Sequence, residues 1–219
     1  RTRCGISILH GPHHVAQKFT ITTWPRCSCR RRLPPPMVRS VKSGAGPVPM
    51  AGRNWMLRRL VIDSIRNDPA WQNGDYSEQP PSLRFASVYF NLATNGGNQA
   101  LYRQAPTREK ADQLLNQRLQ APFKGDANDH LYQWEASGDY DPSAGLERIR
   151  AHVLAINSAD DERNPPELGV LERELKRVRH GAQHIVPGSP STGGHGTLAQ
   201  AALWKAAVAD VLKTAPPLD

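Results

Sequence analysis

The sequence predicts an α/β fold, specifically the C-terminal half of a parallel sheet with helices packed on it. Two observations carry this. Val153–Ile156 is a short apolar run of the kind a buried parallel strand shows, and it breaks at once into the polar turn Asn157-Ser158-Ala159-Asp160-Asp161. After Gly145 the rhythm alternates: strand, a helix over Pro166–His180, a second short strand at His184–Val186, a loop over Pro187–Gly196 and a last helix over Thr197–Lys213.

Length and charge bound the rest. A chain of 219 residues holds one large domain or two small ones, and no run approaches the about 18 apolar residues a membrane span needs. The sequence is therefore read as non-membrane and cytoplasmic. The formal charge is +8 from 28 Lys and Arg against 20 Asp and Glu. Nine of the basic residues lie in residues 1–50 with no acidic one, which leaves 19 against 20 for the remainder. The basic character thus belongs to the N-terminal segment, and nucleic acid is disfavoured as a partner of the folded body. A non-enzymatic nucleic-acid binder using that arm is the rival class; it lacks interleaved aromatics beyond Phe19 and Trp24.

Residues 1–46 carry Arg30-Arg31-Arg32, Pro34-Pro35-Pro36 and no sustained period, and are expected to lack native-like structure. Their composition resembles a transit peptide or the out-of-frame reading of a GC-rich gene. Cys4, Cys27 and Cys29 all lie here; Cys27 and Cys29 with His13 and His14 lack the usual zinc spacing, so no metal site is expected.

Residues 47–144 are expected to be mainly helical. Arg53–Asp68 places Met56, Leu60 and Ile65 beside Leu57, Val61 and Ser64, and Pro69 closes it. Trp71–Tyr76 is a turn, and Ser82–Thr94 is apolar enough for a buried helix. Asn95-Gly96-Gly97-Asn98 interrupts, then Thr107–Gln120 is amphipathic with Leu114, Leu115 and Leu119 on one side. Asn128–Ser137 is a further helix, ending at Gly138–Pro142. Arg53, Arg58 and Arg59 read as a solvated face, Trp55, Trp71, Trp134 and Trp204 as core, and His130 and His152 as structural histidines. Within residues 145–219, the Pro166–His180 helix carries the stripe Leu168, Leu171, Leu175 and Val178, and the last helix turns Ala201, Trp204, Val208 and Val211 inward.

The chemistry lies in two loops. Asp161 and His195 are 34 residues apart, the length of one crossover helix and one strand. Neighbouring parallel strands would deliver both to one sheet edge, where ligands bind in open α/β folds. There a carboxylate fixes the imidazole tautomer and the other ring nitrogen exchanges a proton with a nucleophile. Asp160 competes with Asp161 for the acid's place.

From about Pro47 the chain resembles the C-terminal part of the homoserine O-acetyltransferase family of the α/β-hydrolase superfamily. The resemblance is carried by Asp68-Pro69-Ala70-Trp71 with Gly74-Asp75-Tyr76, by Phe123-Lys124-Gly125-Asp126-Ala127-Asn128, by Asn157 through Pro166, and by Gly194-His195-Gly196, in the family's order. It implies a partial α/β-hydrolase fold with a helical cap insertion, a Ser-His-Asp mechanism with an acyl-enzyme intermediate, and no cofactor. It favours Asp161 as acid and His195 as base. The partners implied are a small acyl donor such as acetyl-CoA and an alcohol or water acceptor, with a homodimer allowed.

Two departures stand out. No Gly-x-Ser-x-Gly elbow occurs; Gly5-Ile6-Ser7-Ile8-Leu9 lacks the closing glycine, and Ser189 follows the acid in sequence. The chain is therefore expected to be a truncated or frame-disrupted form, with marginal folding because half a sheet leaves an open edge. Family members specific for homoserine resemble one another in an Asp after the histidine; Gly196 stands there, which favours hydrolysis or another acceptor.

Overall fold

The structure, a computed structural model, describes residues 46–215. Residues 1–45 of the basic segment, with Ser7 and the Cys27, Cys29, His13 and His14 set, lie outside the described residues. Helices come first: α1 (Gly52–Arg66), a 3₁₀ turn at Pro69–Gly74, α2 (Pro81–Thr94), α3 (Asn98–Gln104), α4 (Arg108–Gln120) and α5 (Ala127–Glu135). A 3₁₀ turn at Ser143–Arg148 leads into β1 (Val153–Ser158), α6 (Val170–Leu175), β2 (Gly181–Val186) and, after further 3₁₀ turns, α7 (Lys205–Thr214). The two strands pair in parallel, from Val153 opposite Gly181 to Ser158 opposite Val186. This is the partial α/β fold expected, and both strands run longer than their apolar runs.

The helical layer has its own core. Leu57, Val61, Ile62 and Ile65 of α1 pack with Leu83, Ala86 and Phe90 of α2 and Ala127 and Leu131 of α5. Met56 and Leu60, on one of the two adjoining faces of the pattern, face out at 66% and 57% exposure. The buried stripe is the one centred on Leu57, Val61 and Ile65, because α2 and α5 cover only that side. Likewise α2 is half-buried: Phe85 and Tyr89 are exposed. In α4, Leu114 and Leu119 are half-buried while Leu115 is exposed.

The segments that carried the family resemblance in this layer prove to be its fasteners. The Tyr76 hydroxyl and the Gln79 amide donate to Asp126 Oδ2, each at 2.8 Å, while Asp126 Oδ1 caps α5 by accepting from the Asp129 N–H. Trp71 Nε1 donates to Asn128 Oδ1 at 2.9 Å, and Asn128 Nδ2 to the Gly74 carbonyl at 3.0 Å. Asp68 joins the 3₁₀ turn to α2, accepting from the N–H groups of Ala70 and Ser82, which hold its carboxyl below the usual range. His130 is structural as expected, its Nδ1 against the Asp126 carbonyl at 2.9 Å.

Around the sheet three expectations are corrected. Pro166–His180 is not one helix: Gly169 adopts φ +63°, left-handed backbone that ends the 3₁₀ turn Pro166–Leu168 before α6 begins. Leu168 is consequently exposed, and only Leu175 and Val178 of the expected stripe are buried, in a small core with Leu146. Beyond Leu175 the chain is pinned by Arg177, which donates to Glu147, Glu174 and the Ser143 carbonyl. The final helix likewise begins at Lys205, not Thr197. Thr197 is fully buried and its hydroxyl oxygen accepts from the Gly193 N–H, tying residues 194–203 to the preceding loop as 3₁₀ turns and leaving Ala201 exposed. The short helix α3 was not expected.

Arg58 also departs from its reading as a solvated residue. It is buried, lies 4.6 Å over the Trp134 ring and donates to Asn54 Oδ1 at 2.9 Å. Burial, reinforced by the Arg163 charge, lowers its pKa to about 10. Trp55, Trp71, Trp134 and Trp204 are half-buried, and of these Trp71 and Trp134 pack against the helical core.

Replacing Asp126 with Ala removes a helix cap and leaves the Tyr76 hydroxyl and Gln79 amide without their acceptor. The expected loss is about 2 kcal/mol of unfolding free energy, read as a lower urea midpoint.

Candidate active site

β1 and β2 end level, so the turn after Ser158 and the loop after Val186 leave the sheet side by side; the Ala159 N–H donates to the Val186 carbonyl at 2.9 Å. Asp161 lies on the first loop at 2% exposure. Its Oδ1 accepts from the main-chain N–H groups of Arg163 and Asn164, both at 2.8 Å, and so shapes its own turn. Its Oδ2 lies 2.8 Å from His195 Nδ1. An ionised carboxylate only accepts, so Nδ1 carries the proton and donates it to Asp161. Burial pushes the Asp161 carboxyl up, but the His195 bond and charge and the two main-chain donors outweigh it and hold the carboxyl below its usual value.

Asp160, the competitor, points elsewhere. It accepts from the hydroxyls of Ser158 and Thr192, the latter at 2.7 Å, and from the Gly194 N–H at 3.3 Å. Asp161 is thus the carboxylate that meets the imidazole, and Asp160 braces the loop that carries it. The His195 side chain is 14% exposed, and among the described residues no group hydrogen-bonds its Nε2. An imidazole held at Nδ1 with Nε2 unbonded is arranged to take up and release a proton there.

Sequence reasoning missed Glu162 and Arg163. Glu162 accepts from the N–H groups of His195 at 2.9 Å and Gly97 at 2.8 Å. Arg163 lies 5.0 Å over the Phe90 ring, donates to Thr94 Oγ1 at 3.2 Å, and its carbonyl accepts from Asn54 Nδ2 at 3.0 Å. Nothing in the local pattern of an acidic run before Pro-Pro marks these contacts. Of the serines weighed, Ser189 closes a turn with Thr192, its N–H donating to Thr192 Oγ1 at 2.8 Å.

A cavity of about 400 Å³ lies along β1, lined by Val48, Leu146, Val153, Leu171, Leu175 and Leu198 together with Glu162 and Arg163. Neither Asp161 nor His195 lines it. Among the described residues β1 has β2 as its only strand neighbour, and no cluster of three or more His, Cys, Asp and Glu could hold a metal. Nor is any described helix long and apolar enough to cross a membrane.

No protein-family model and no curated protein matches the sequence. Solved structures do match. The chain is similar to homoserine O-acetyltransferase from Bacillus anthracis, at 17% identity and TM-score 0.64 over 78% of this chain and 52% of that one. It is similar to esterase E22, at 16% identity and TM-score 0.62 over 81% and 54%, and to the acetyl esterase MekB, at 21% and 0.58 over the same shares. The fold is therefore a partial α/β-hydrolase fold, and the chain spans about half the length of the structures it matches.

The depressed Asp161 carboxyl predicts a signature in acid. A group whose folded pKa lies below its unfolded one contributes stability above the unfolded value of about 4, and loses it as pH falls through the folded value. Stability of the unaltered chain should therefore drop more steeply below pH 4 than that of D161N, measured by urea unfolding across pH 2–7.

Proposed function

We propose that this chain carries the acid and base of a serine-type acyl-transfer enzyme, with Asp161 orienting and His195 exchanging the proton. The observation that supports it is the 2.8 Å contact between Asp161 Oδ2 and His195 Nδ1 at the carboxyl ends of two parallel strands. In this reading residues 47–144 form a helical cap and residues 145–219 the catalytic half-core. A serine hydroxyl attacks the acyl carbonyl while His195 Nε2 takes its proton. The imidazolium, stabilised by Asp161, returns that proton to the departing alcohol or thiol, and a water or alcohol acceptor then repeats the sequence on the acyl-enzyme. The substrates are small acyl esters or thioesters such as acetyl-CoA.

The serine of that mechanism is not provided by a Gly-x-Ser-x-Gly elbow in the 219 residues. In this reading the nucleophile is supplied by sequence other than the segments that carry Asp161 and His195.

Hydrolysis is favoured over acylation of an amino-acid alcohol by one observation. Gly196 stands where homoserine-specific members of the family resemble one another in carrying an Asp, so the carboxylate that would pair with the substrate amine is replaced by hydrogen.

The test uses the DNA upstream of the Pro47 codon, read in all frames. The 219-residue chain alone is expected to hydrolyse p-nitrophenyl acetate no faster than background. A chain rejoined to an upstream elbow should turn it over, with D161N lowering kcat by about 10⁴-fold and H195A by about 10⁶-fold. Full turnover in the H195A form of the rejoined chain would sink the proposal.

A further inference from the structure

Three adjacent carboxylates leave β1, and each takes a different hold. Asp160 braces Thr192 and Gly194, Asp161 meets the imidazole, and Glu162 reaches in two directions. Glu162 Oε1 accepts from the N–H of Gly97, between α2 and α3, at 2.8 Å, and Oε2 from the N–H of His195 at 2.9 Å. One side chain therefore joins the helical layer to the main chain of the residue that carries the base. Beside it the Gly96 N–H donates to the Gly193 carbonyl at 2.9 Å, so the same two stretches are stitched twice.

The slot is shaped for this carboxylate. Gly194 adopts φ +57°, and a Cβ there would run into the Glu162 carboxylate. An ionised acceptor on main-chain N–H groups makes about twice as strong a bond as a neutral one. The loop's other ties run to Asp160 after β1, from Thr192 and Gly194, or stay within the loop and its following turn, as from Gly193 N–H to Thr197 Oγ1 and from Gly196 N–H to the Gly193 carbonyl. They do not orient it against the helices.

We propose that Glu162 is a positioning residue that couples seating of the helical cap to presentation of His195. This rests on the reading of Asp161 and His195 as acid and base. Asp161 fixes the ring at Nδ1, and Glu162 fixes the same residue at its main-chain root. Lifting the Gly96–Gly97 junction then pulls on the base itself, so movement of the cap during substrate entry is felt at the proton-transferring group.

Amide hydrogen exchange by NMR on the full chain tests it. The unaltered chain should show slow exchange at both Gly97 and His195 and a separate downfield Nδ1–H signal for His195. In E162A both amides should exchange at least about tenfold faster and the Nδ1–H signal should weaken, while the amides of Leu57–Ile65 hold. In E162Q one of the two amides should stay slow, because the Gln oxygen accepts while its NH₂ cannot. A residue that merely fills space would not divide the pair this way. Unchanged exchange at both amides in E162A, or acceleration spread evenly over the whole chain, overturns the proposal. Slow amides in an unaltered chain that shows no Nδ1–H signal overturn the acid–base reading instead.

Discussion

The site depends on the register of two strands. Ser158 stands opposite Val186, so β1 and β2 release their chains at the same level and the two loops meet directly. A slip of one residue would move one loop by about 3.3 Å and turn its side chains to the other face. Such a slip would part the Asp161 and His195 groups from the 2.8 Å contact they make in this register. The carboxyl edge of a parallel sheet is where the fold concentrates such loops, and the small sheet here suffices to define it.

Three neighbouring acids at one turn, the middle one buried, would repel one another without compensation. They are accommodated because each spends its charge on separate donors: hydroxyls and a glycine N–H for Asp160, an imidazole and two turn N–H groups for Asp161, and the N–H groups of Gly97 and His195 for Glu162. Arg163 adds positive charge beside Asp161 and Glu162, and its own burial lowers its pKa against their attraction. The helical layer holds this arginine through Thr94, Phe90 and Asn54. The layer therefore takes part in the electrostatics of the loops as well as covering them.

The segments that resemble the acetyltransferase family divide by role. Asp68, Trp71, Tyr76, Asp126 and Asn128 fasten helices to one another through hydrogen bonds far from the imidazole. Asp161 and His195 are the pair whose arrangement suits proton transfer. These short motifs thus report mostly on how the helical layer is closed.

Much of this was legible in the chain itself. Local periodicity placed the long helices, and the apolar run ending at a polar turn placed β1 and the loop after it. What the chain could not reveal alone were choices settled between distant segments. Whether Asp160 or Asp161 meets the imidazole depends on a turn that sends adjacent side chains to different partners. Gly169 breaks a helix that its neighbours' pattern favours, and Thr197 delays another because Gly193 takes up its hydroxyl oxygen. The burial of Arg58 and the reach of Glu162 to Gly97, 65 residues earlier, have no local signature at all. Periodicity records which face of an element is apolar; tertiary packing alone decides which polar groups meet once those faces are joined.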